Sequence, residues 1–168
     1  MLEIKIRLSE STDLPYIVEI YNQAIRSGIA TGDLTEFTME QRLDWYKKFD
    51  SESYPLYIAE INNKVVGYCT LSPYRPGREA MASIAEISYY IDYSYQNQGV
   101  GTKLLEYVIA DCKRTGKESL LAILLDINPQ SIALLKKFNF EQWGHFPGII
   151  NIKGKKCGQL IYGLKIWN

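Results

Sequence analysis

The chain alternates between short segments in which apolar residues occupy every second position and longer segments in which they recur every three or four positions. The first pattern is typical of β-strands that bury one face, and the second is typical of amphipathic helices. Strand-like or uniformly apolar segments occur at residues 3–8, 56–61, 65–71, 82–91, 120–125, 140–145 and 159–166. Helix-like segments occur at residues 16–25, 38–49, 102–114 and 128–138.

The order of these segments predicts an α/β (α+β) protein, with a mixed central β-sheet of about seven strands flanked by about four helices. Residues 120–125 are apolar throughout, as expected of a strand that is buried on both faces. Gly28 and Gly116 stand where the first and third helices are expected to end. A length of 168 residues suffices for a substantial core, so we predict one domain spanning residues 1–168.

A polar loop joins the strand at residues 82–91 to the third predicted helix. It contains Gln96-Asn97-Gln98-Gly99-Val100-Gly101, with two glycines at the mouth of the helix. Glycine lets a ligand approach the backbone closely, and the first amides of a helix have no acceptor within that helix. The loop is therefore suited to a phosphate or diphosphate, although two glycines also make a tight turn that needs no ligand. The spacing fits neither a Walker loop nor a dinucleotide-binding fingerprint.

The composition is that of an ordinary soluble globular protein, with 46% apolar and 23% charged residues. The 19 basic and 19 acidic side chains balance and form no basic stripe, which argues against nucleic acid as a partner. No apolar run approaches the length of a membrane span, and the alternating amino terminus is not that of a signal peptide. The cysteines at 69, 112 and 157 are scattered, which favours a reducing cytoplasm over a disulfide framework or a metal cluster.

The glycine loop resembles the acetyl-CoA signature of the GCN5-related N-acetyltransferase (GNAT) superfamily, in which Gln/Arg-x-x-Gly-x-Gly/Ala lies between a strand and a helix. Asn128-Pro129-Gln130-Ser131, followed by Lys137-Phe138-Asn139-Phe140, resembles a second motif of that superfamily. The predicted order of strands and helices is also that of the GNAT fold, and the likeness extends over most of the chain. Within the superfamily, residues 20–25, Glu86 and residues 144–147 most resemble the phosphinothricin and methionine-sulfone acetyltransferase group.

The resemblance implies an acetyl-CoA site that is built largely from main-chain groups. The amides of residues 98–101 would bind the diphosphate of CoA, and the main chain of residues 89–91 would bind the pantetheine arm and the thioester oxygen. Asn128 would contact CoA as well, and it is also a compatible N-cap for the helix that follows it. The residues assigned to acetyl-CoA in this way are Tyr89, Tyr90, Ile91, Gln96, Asn97, Gln98, Gly99, Val100, Gly101, Thr102, Asn128 and Ser131.

Attack of an amine on a thioester needs a neutral amine, so some group must accept a proton. By resemblance Glu86 is the leading candidate for this base, and His145 is a second candidate for the base or for positioning the substrate. Without the resemblance, Glu86 is most simply a solvated side chain on a strand, and His145 a structural or exposed residue. Arg75 and Arg78 lie in a loop expected on the acceptor side, where they would bind a substrate carboxylate or serve as ordinary loop charges.

The chain departs from the pattern of the family at Leu135 and in residues 152–158, and mildly at Asn139, which stands in place of a glycine. Leu135 occupies the position at which many members carry a tyrosine that protonates the departing thiolate, so that thiolate leaves unaided or another group serves. Residues 152–158 lack the aromatic and acidic positions of the usual family tail. The resemblance therefore leaves the identity of the acceptor open.

These features predict an acetyl-CoA-dependent N-acetyltransferase that acts on the amino group of a small molecule by direct transfer in a ternary complex. An amino acid or an analogue such as phosphinothricin or methionine sulfone is the expected acceptor, and the resemblance also implies a homodimer. Two alternatives remain open. One is a non-catalytic acyl-CoA-binding regulator, which the missing tyrosine favours and Glu86 opposes, and the other is an enzyme that acetylates proteins or peptides.

Overall fold

The computed structural model describes residues 2–167 and confirms the predicted fold, a mixed sheet of seven strands flanked by four helices. The strands are β1 (Lys5–Leu8), β2 (Leu56–Ile61), β3 (Lys64–Pro73), β4 (Ile84–Ile91), β5 (Ser119–Leu125), β6 (Glu141–Ile152) and β7 (Lys155–Lys165). The helices are α1 (Leu14–Ser27), α2 (Met39–Tyr46), α3 (Val100–Thr115) and α4 (Pro129–Lys137). Within residues 2–167, no helix is both long and apolar enough to cross a membrane.

The strands lie in the order β1-β2-β3-β4-β5-β7-β6, and β4 and β5 are the parallel pair at the centre. These two strands pair only at their beginnings, where Glu86 lies opposite Leu121 in the last pair. Beyond that pair β4 stays bonded to β3 and β5 stays bonded to β7, but the two strands no longer bond to each other. The sheet therefore opens into a gap, and this gap positions the site described below.

Each face of the sheet carries its own core. On one face α3 and α4 pack against alternate residues of the central strands, including the buried Ile87. On the opposite face α1 and α2 pack against the remaining residues, including the buried Ile58. Because side chains alternate along a strand, Tyr89 belongs to the α3/α4 face and Tyr90 to the α1/α2 face.

The ends of several elements differ from the sequence prediction. Strand β6 continues to residue 152 rather than ending at residue 145, because its pairing with β7 skips a bulge between Phe146 and Ile150 and then resumes. A proline and a glycine in that bulge break the alternating pattern, which hides the second half of the strand. Gly28 ends α1 in the left-handed conformation, as predicted, with a φ of 70°.

We expect Gly67→Ala to destabilise the protein, because this glycine lies where β3 is in close contact with β4 and α3. A Cβ atom there would lie 3.0 Å from Ile91 Cδ1 and 3.2 Å from both Tyr90 O and Val100 Cγ1. Overpacking of this kind costs about 1–3 kcal/mol in the free energy of unfolding, which urea denaturation measures. Gly32→Ala is the matched control, since no atom lies within 4 Å of its added Cβ. Equal stability of the two variants would contradict the prediction.

Candidate active site

A cavity of about 430 Å³ occupies the gap between β4 and β5. It reaches both faces of the sheet, because its wall includes Tyr89 and Leu134 on the α3/α4 face and Ser88 and Tyr90 on the α1/α2 face. Its wall is formed by the end of α1 and the residues after it, by β4, by the loop and start of α3, by β5 and by the start of α4. In that order, the residues are Ala24, Ser27, Ile29, Ala30; Ile87, Ser88, Tyr89, Tyr90, Ile91; Tyr93, Tyr95, Gln96, Asn97, Gly99, Val100, Gly101, Thr102; Ala122, Ile123, Leu124; and Asn128, Pro129, Gln130, Ser131, Leu134.

One end of the cavity is the N-terminus of α3, where several backbone amides have no helical acceptor. The first bond within this helix runs from Lys103 N to Gly99 O, at 3.0 Å, so the amides of residues 100–102 remain free for a ligand. Gly99 caps the helix with a φ of 87°, and Asn97 also lies in the left-handed region with a φ of 59°. Free amides at the positive end of a helix dipole suit a diphosphate, and this helix start lines the cavity.

Gly101 allows α3 and α4 to approach each other beside this amide cluster. A Cβ atom at position 101 would lie 2.9 Å from Leu134 Cδ2, which is too close for an unshifted side chain. Packing against Leu134 therefore favours glycine at the second position of the motif, whereas the left-handed backbone favours it at the first.

The loop before α3 is held by the first helix. Tyr93 N donates to Gln23 Oε1 at 2.9 Å, and Ser94 N donates to Asp92 Oδ1 at 2.8 Å. Of the twelve residues that the sequence assigned to acetyl-CoA, Gln98 alone is absent from the cavity wall. Its side-chain amide donates a hydrogen bond of 3.1 Å to Ser94 O. Gln23 lies in the segment that resembles the acetyltransferase subgroup, and its contact here gives that segment a physical role.

Asn128 caps α4 at the other end of the cavity. Its Oδ1 accepts a hydrogen bond of 3.2 Å from Ser131 N, so the side chain holds the helix while it lines the cavity. The Ser131 hydroxyl lies 2.6 Å from the Tyr89 hydroxyl of β4. This bond joins the two sides of the cavity at the level where β4 and β5 have already separated.

Glu86 lies at the last β4–β5 pair, where the gap begins. It is half-buried and has no ion pair or side-chain hydrogen bond with any of residues 2–167, and burial raises the pKa of its carboxyl above the ordinary value. Burial also raises the pKa of Tyr90, and the nearby Glu86 adds to that effect. Glu86 is adjacent to the cavity rather than on its wall, next to the lining residue Ile87.

His145 lies on β6, away from the cavity wall, and is held by a carboxylate that the sequence did not indicate. Its Nε2 lies 3.1 Å from Asp126 Oδ2, while Gly158 N donates to Asp126 Oδ1 at 2.8 Å. The hydrogen bond from Gly158, with that from His145, lowers the pKa of Asp126. His145 and Glu86 are on different strands and on opposite faces of the sheet, so they do not form one acid–base pair.

Arg75 and Arg78 lie in the exposed loop between β3 and β4, outside the cavity wall. Neither forms an ion pair within residues 2–167, so both guanidinium groups are available to an anion. Neither side chain forms a hydrogen bond or an ion pair with Glu86, the predicted base, so the structure does not bring these arginines together with it.

The loop between α1 and α2 supplies a group of contacts that the sequence did not indicate. The Tyr21 hydroxyl donates to Asp33 and lies 2.8 Å from Thr31 Oγ1, and burial raises the pKa of Tyr21 to about 12. The Arg42 guanidinium lies over the rings of Tyr21, Phe37 and Trp45, at 3.8–4.9 Å from their centroids. These contacts fix the loop whose first residues, 29 and 30, complete the cavity wall.

Comparison with known proteins gives a consistent answer. The family model for the acetyltransferase (GNAT) family matches residues 15–140. YwnH of Bacillus subtilis (strain 168), a candidate phosphinothricin acetyltransferase, is 38% identical over 96% of this chain and 98% of its own length. The L-methionine sulfoximine/L-methionine sulfone acetyltransferase of Salmonella typhimurium (strain LT2) is 29% identical over 93% of this chain and 88% of its own.

A solved structure shows the same fold with a ligand. YncA of Salmonella typhimurium, a candidate acetyltransferase solved with its cofactor acetyl-CoA, superimposes with a TM-score of 0.91 at 27% identity. The superposition covers 98% of this chain and 95% of that one. The family model covers most of the chain and includes both motifs that line the cavity, so this protein is a member of the acetyltransferase (GNAT) family and an N-acetyltransferase.

Proposed function

We propose that this enzyme transfers the acetyl group of acetyl-CoA to the amino group of a small amino acid or a close analogue, such as phosphinothricin or methionine sulfone. The observation that carries the proposal is the cavity that passes through the sheet between β4 and β5. Its wall includes residues of both faces of the sheet, so a donor and an acceptor entering from opposite faces would meet in the gap, as direct transfer in a ternary complex needs. The names of the relatives support the choice of acceptor class.

The residues of the cavity fit acetyl-CoA, which supplies an activated acetyl group as a thioester when bound. The free amides of residues 100–102 would hold its diphosphate. Along the gap, residues 87–91 of β4 have no partner on the side of β5, so their backbone groups are available to the pantetheine arm. One backbone N–H directed at the developing oxyanion would contribute about 3 kcal/mol to stabilising the transition state.

On the acceptor side, we assign Glu86 the role of the base that accepts the proton of the attacking amine through a water. Burial raises the pKa of the Glu86 carboxyl toward that of the acceptor amine, and a general base works better as the two values approach each other. His145 remains the second candidate, because Asp126 fixes its ring but its position is off the cavity wall. Arg75 and Arg78 are proposed to bind the acceptor carboxylate.

We also propose a homodimer that forms along β6, in a reducing cytoplasmic environment in which the cysteines stay free. β6 lies at an edge of the sheet and exposes Trp143, Phe146 and Ile149 by 46%, 45% and 63%. An exposed apolar edge strand favours pairing with another chain.

Ile149→Asp is expected to convert the dimer into a monomer, because a carboxylate in an apolar interface is left without a partner. Sedimentation velocity measures the change. Leu34→Asp is the control, since Leu34 is comparably exposed but lies in the loop between α1 and α2. A wild-type protein that sediments as a monomer at high concentration would contradict the dimer.

The acceptor assignment is tested by release of the CoA thiol from acetyl-CoA in the presence of a panel of amines. The panel contains phosphinothricin, methionine sulfone, methionine sulfoximine, ordinary amino acids, polyamines and a peptide. Each active amino acid is then compared with its carboxamide, because an arginine site for the carboxylate should reject the amide. Turnover on polyamines or the peptide alone would overturn the assignment of an amino-acid acceptor. Equal turnover on an amino acid and its carboxamide would show that Arg75 and Arg78 do not bind the acceptor carboxylate.

A further inference from the structure

The side chain of Tyr89 lies in the cavity where β4 and β5 have separated. It lies three positions after Glu86, the last β4 residue that pairs with β5, and it faces α4. Its hydroxyl lies 2.6 Å from Ser131 Oγ in the first turn of α4. Both residues line the cavity, so this pair of hydroxyls borders the space that the donor must occupy.

The surroundings of this hydroxyl pair are mostly apolar. Ile87, Ala122, Leu124 and Leu134 line the cavity and belong to the same hydrophobic cluster as Tyr89. Leu135, further along α4, is fully buried and offers no hydroxyl. An anion in such surroundings is costly unless a donor faces it, so the Tyr89 and Ser131 hydroxyls are the groups placed to stabilise a charge on this side of the gap.

Cleavage of a thioester creates such a charge. When the amine nitrogen bonds to the carbonyl carbon and the carbon–sulfur bond breaks, the electron pair of that bond stays on sulfur. With the diphosphate at the N-terminus of α3, as proposed above, the arm of the donor would run along β4 from there toward Glu86, past residues 91 to 87. The sulfur therefore comes to the part of the cavity that Tyr89 borders.

We propose that the Tyr89 hydroxyl donates a hydrogen bond to the CoA sulfur as it leaves, and that Ser131 Oγ orients that hydroxyl by donating to it. This inference rests on the proposed function and adds a side-chain role to a residue that the resemblance assigned only through its main chain. The proton lost by the amine goes to the base proposed above, Glu86. The thiolate leaves with its electron pair and takes a proton from solvent after release.

Tyr89 acts as a hydrogen-bond donor and keeps its proton. Burial raises the pKa of its hydroxyl above the ordinary tyrosine value of about 10, whereas an ordinary cysteine thiol has a pKa of about 8.5. Transfer of the proton from oxygen to sulfur would therefore be uphill. Hydrogen bonds in a chain polarise one another, so the bond from Ser131 to Tyr89 strengthens the bond from Tyr89 to the sulfur.

The test compares CoA with desulfo-CoA, which lacks the sulfur, by calorimetry at about pH 10, where a large share of the free thiol is ionised. We expect Tyr89→Phe to weaken CoA binding about tenfold or more and to leave desulfo-CoA binding unchanged, since one hydrogen bond to a charged atom is lost. Ser131→Ala keeps its backbone N–H to Asn128 and should shift CoA binding in the same direction by a smaller factor. Turnover at saturating substrates should fall about tenfold in Tyr89→Phe, with the acceptor KM unchanged.

The control is Tyr107→Phe, at an exposed position of α3 outside the cavity wall. This variant should bind CoA and desulfo-CoA as tightly as wild type does. Equal weakening of CoA and desulfo-CoA in Tyr89→Phe would overturn the proposal, because the hydroxyl would then act on the arm or on the shape of the cavity. Unchanged binding of both ligands would overturn it as well. If the wild-type protein bound neither ligand, the proposed function itself would fail, which is a different result.

Discussion

Gly99→Asp is expected to weaken acetyl-CoA binding at least about a hundredfold while the protein stays folded. The substitution adds a carboxylate at the N-cap of α3, next to the free amides that would hold the diphosphate. Two unit charges 4 Å apart at the effective dielectric of a protein surface repel by about 4 kcal/mol, which salt screening reduces. The loss that remains is several factors of ten in the dissociation constant, measured by calorimetry.

Two controls separate charge from backbone strain in this experiment. Gly99→Asn has nearly the same shape and tolerates the left-handed φ of 87°, so it should bind acetyl-CoA within about tenfold of wild type. Gly116→Asp places the same carboxylate at the opposite end of α3, at a glycine with a φ of 69° and no atom within 4 Å of an added Cβ, and should bind normally. If Gly99→Asp bound acetyl-CoA as tightly as wild type, the diphosphate could not be assigned to the N-terminus of α3.

Glu86→Gln is expected to reduce turnover at neutral pH by about a hundredfold or more, the usual contribution of a general base. The side chain keeps its size but loses the ability to accept a proton. The loss should shrink as the pH rises toward the pKa of the acceptor amine, because the amine then loses its proton to solvent without help. The measurement is kcat as a function of pH for wild type and variant, with an acceptor identified from the panel.

The pH profile of the wild-type enzyme gives a second test of the same residue. Burial raises the pKa of Glu86, and only the deprotonated carboxylate is a base, so activity should fall as the pH drops through this raised pKa. Glu86→Gln should lose that acidic limb, whereas Glu118→Gln, at an exposed position just before β5, should keep both the limb and the rate. An unaltered acidic limb in Glu86→Gln would assign the proton transfer to another group, with His145 as the next candidate.

Periodicity in the sequence was enough to predict the order of strands and helices and the strand-to-helix loop at the site. Residues 96–102 and 89–91 could be assigned from the resemblance because the roles it implies for them are mostly main-chain ones, which a local motif is enough to locate. Eleven of the twelve predicted donor-site residues line the cavity, all except Gln98.

The parts that the sequence did not predict depend on contacts between residues distant in the chain. The gap between β4 and β5 arises because their pairing stops at Glu86 and Leu121, and no local pattern marks that position. Asp126, just after β5, contacts His145 of β6 although β7 lies between these strands, and the Tyr89 hydroxyl contacts Ser131 across the cavity. The wall residues at the end of α1 were missed for the same reason, although Gly28 indicated where that helix stops.

The most direct test of the proposed reaction is mass spectrometry of the products formed from acetyl-CoA with an isotopically labelled acetyl group and methionine sulfone or phosphinothricin. Wild-type enzyme should place the label on the amino group of the acceptor and release one CoA thiol per product, and Gly99→Asp should give no product under the same conditions. An enzyme that binds acetyl-CoA yet transfers no label to any amino acid of the panel would contradict the proposed acceptor and leave only the donor site standing.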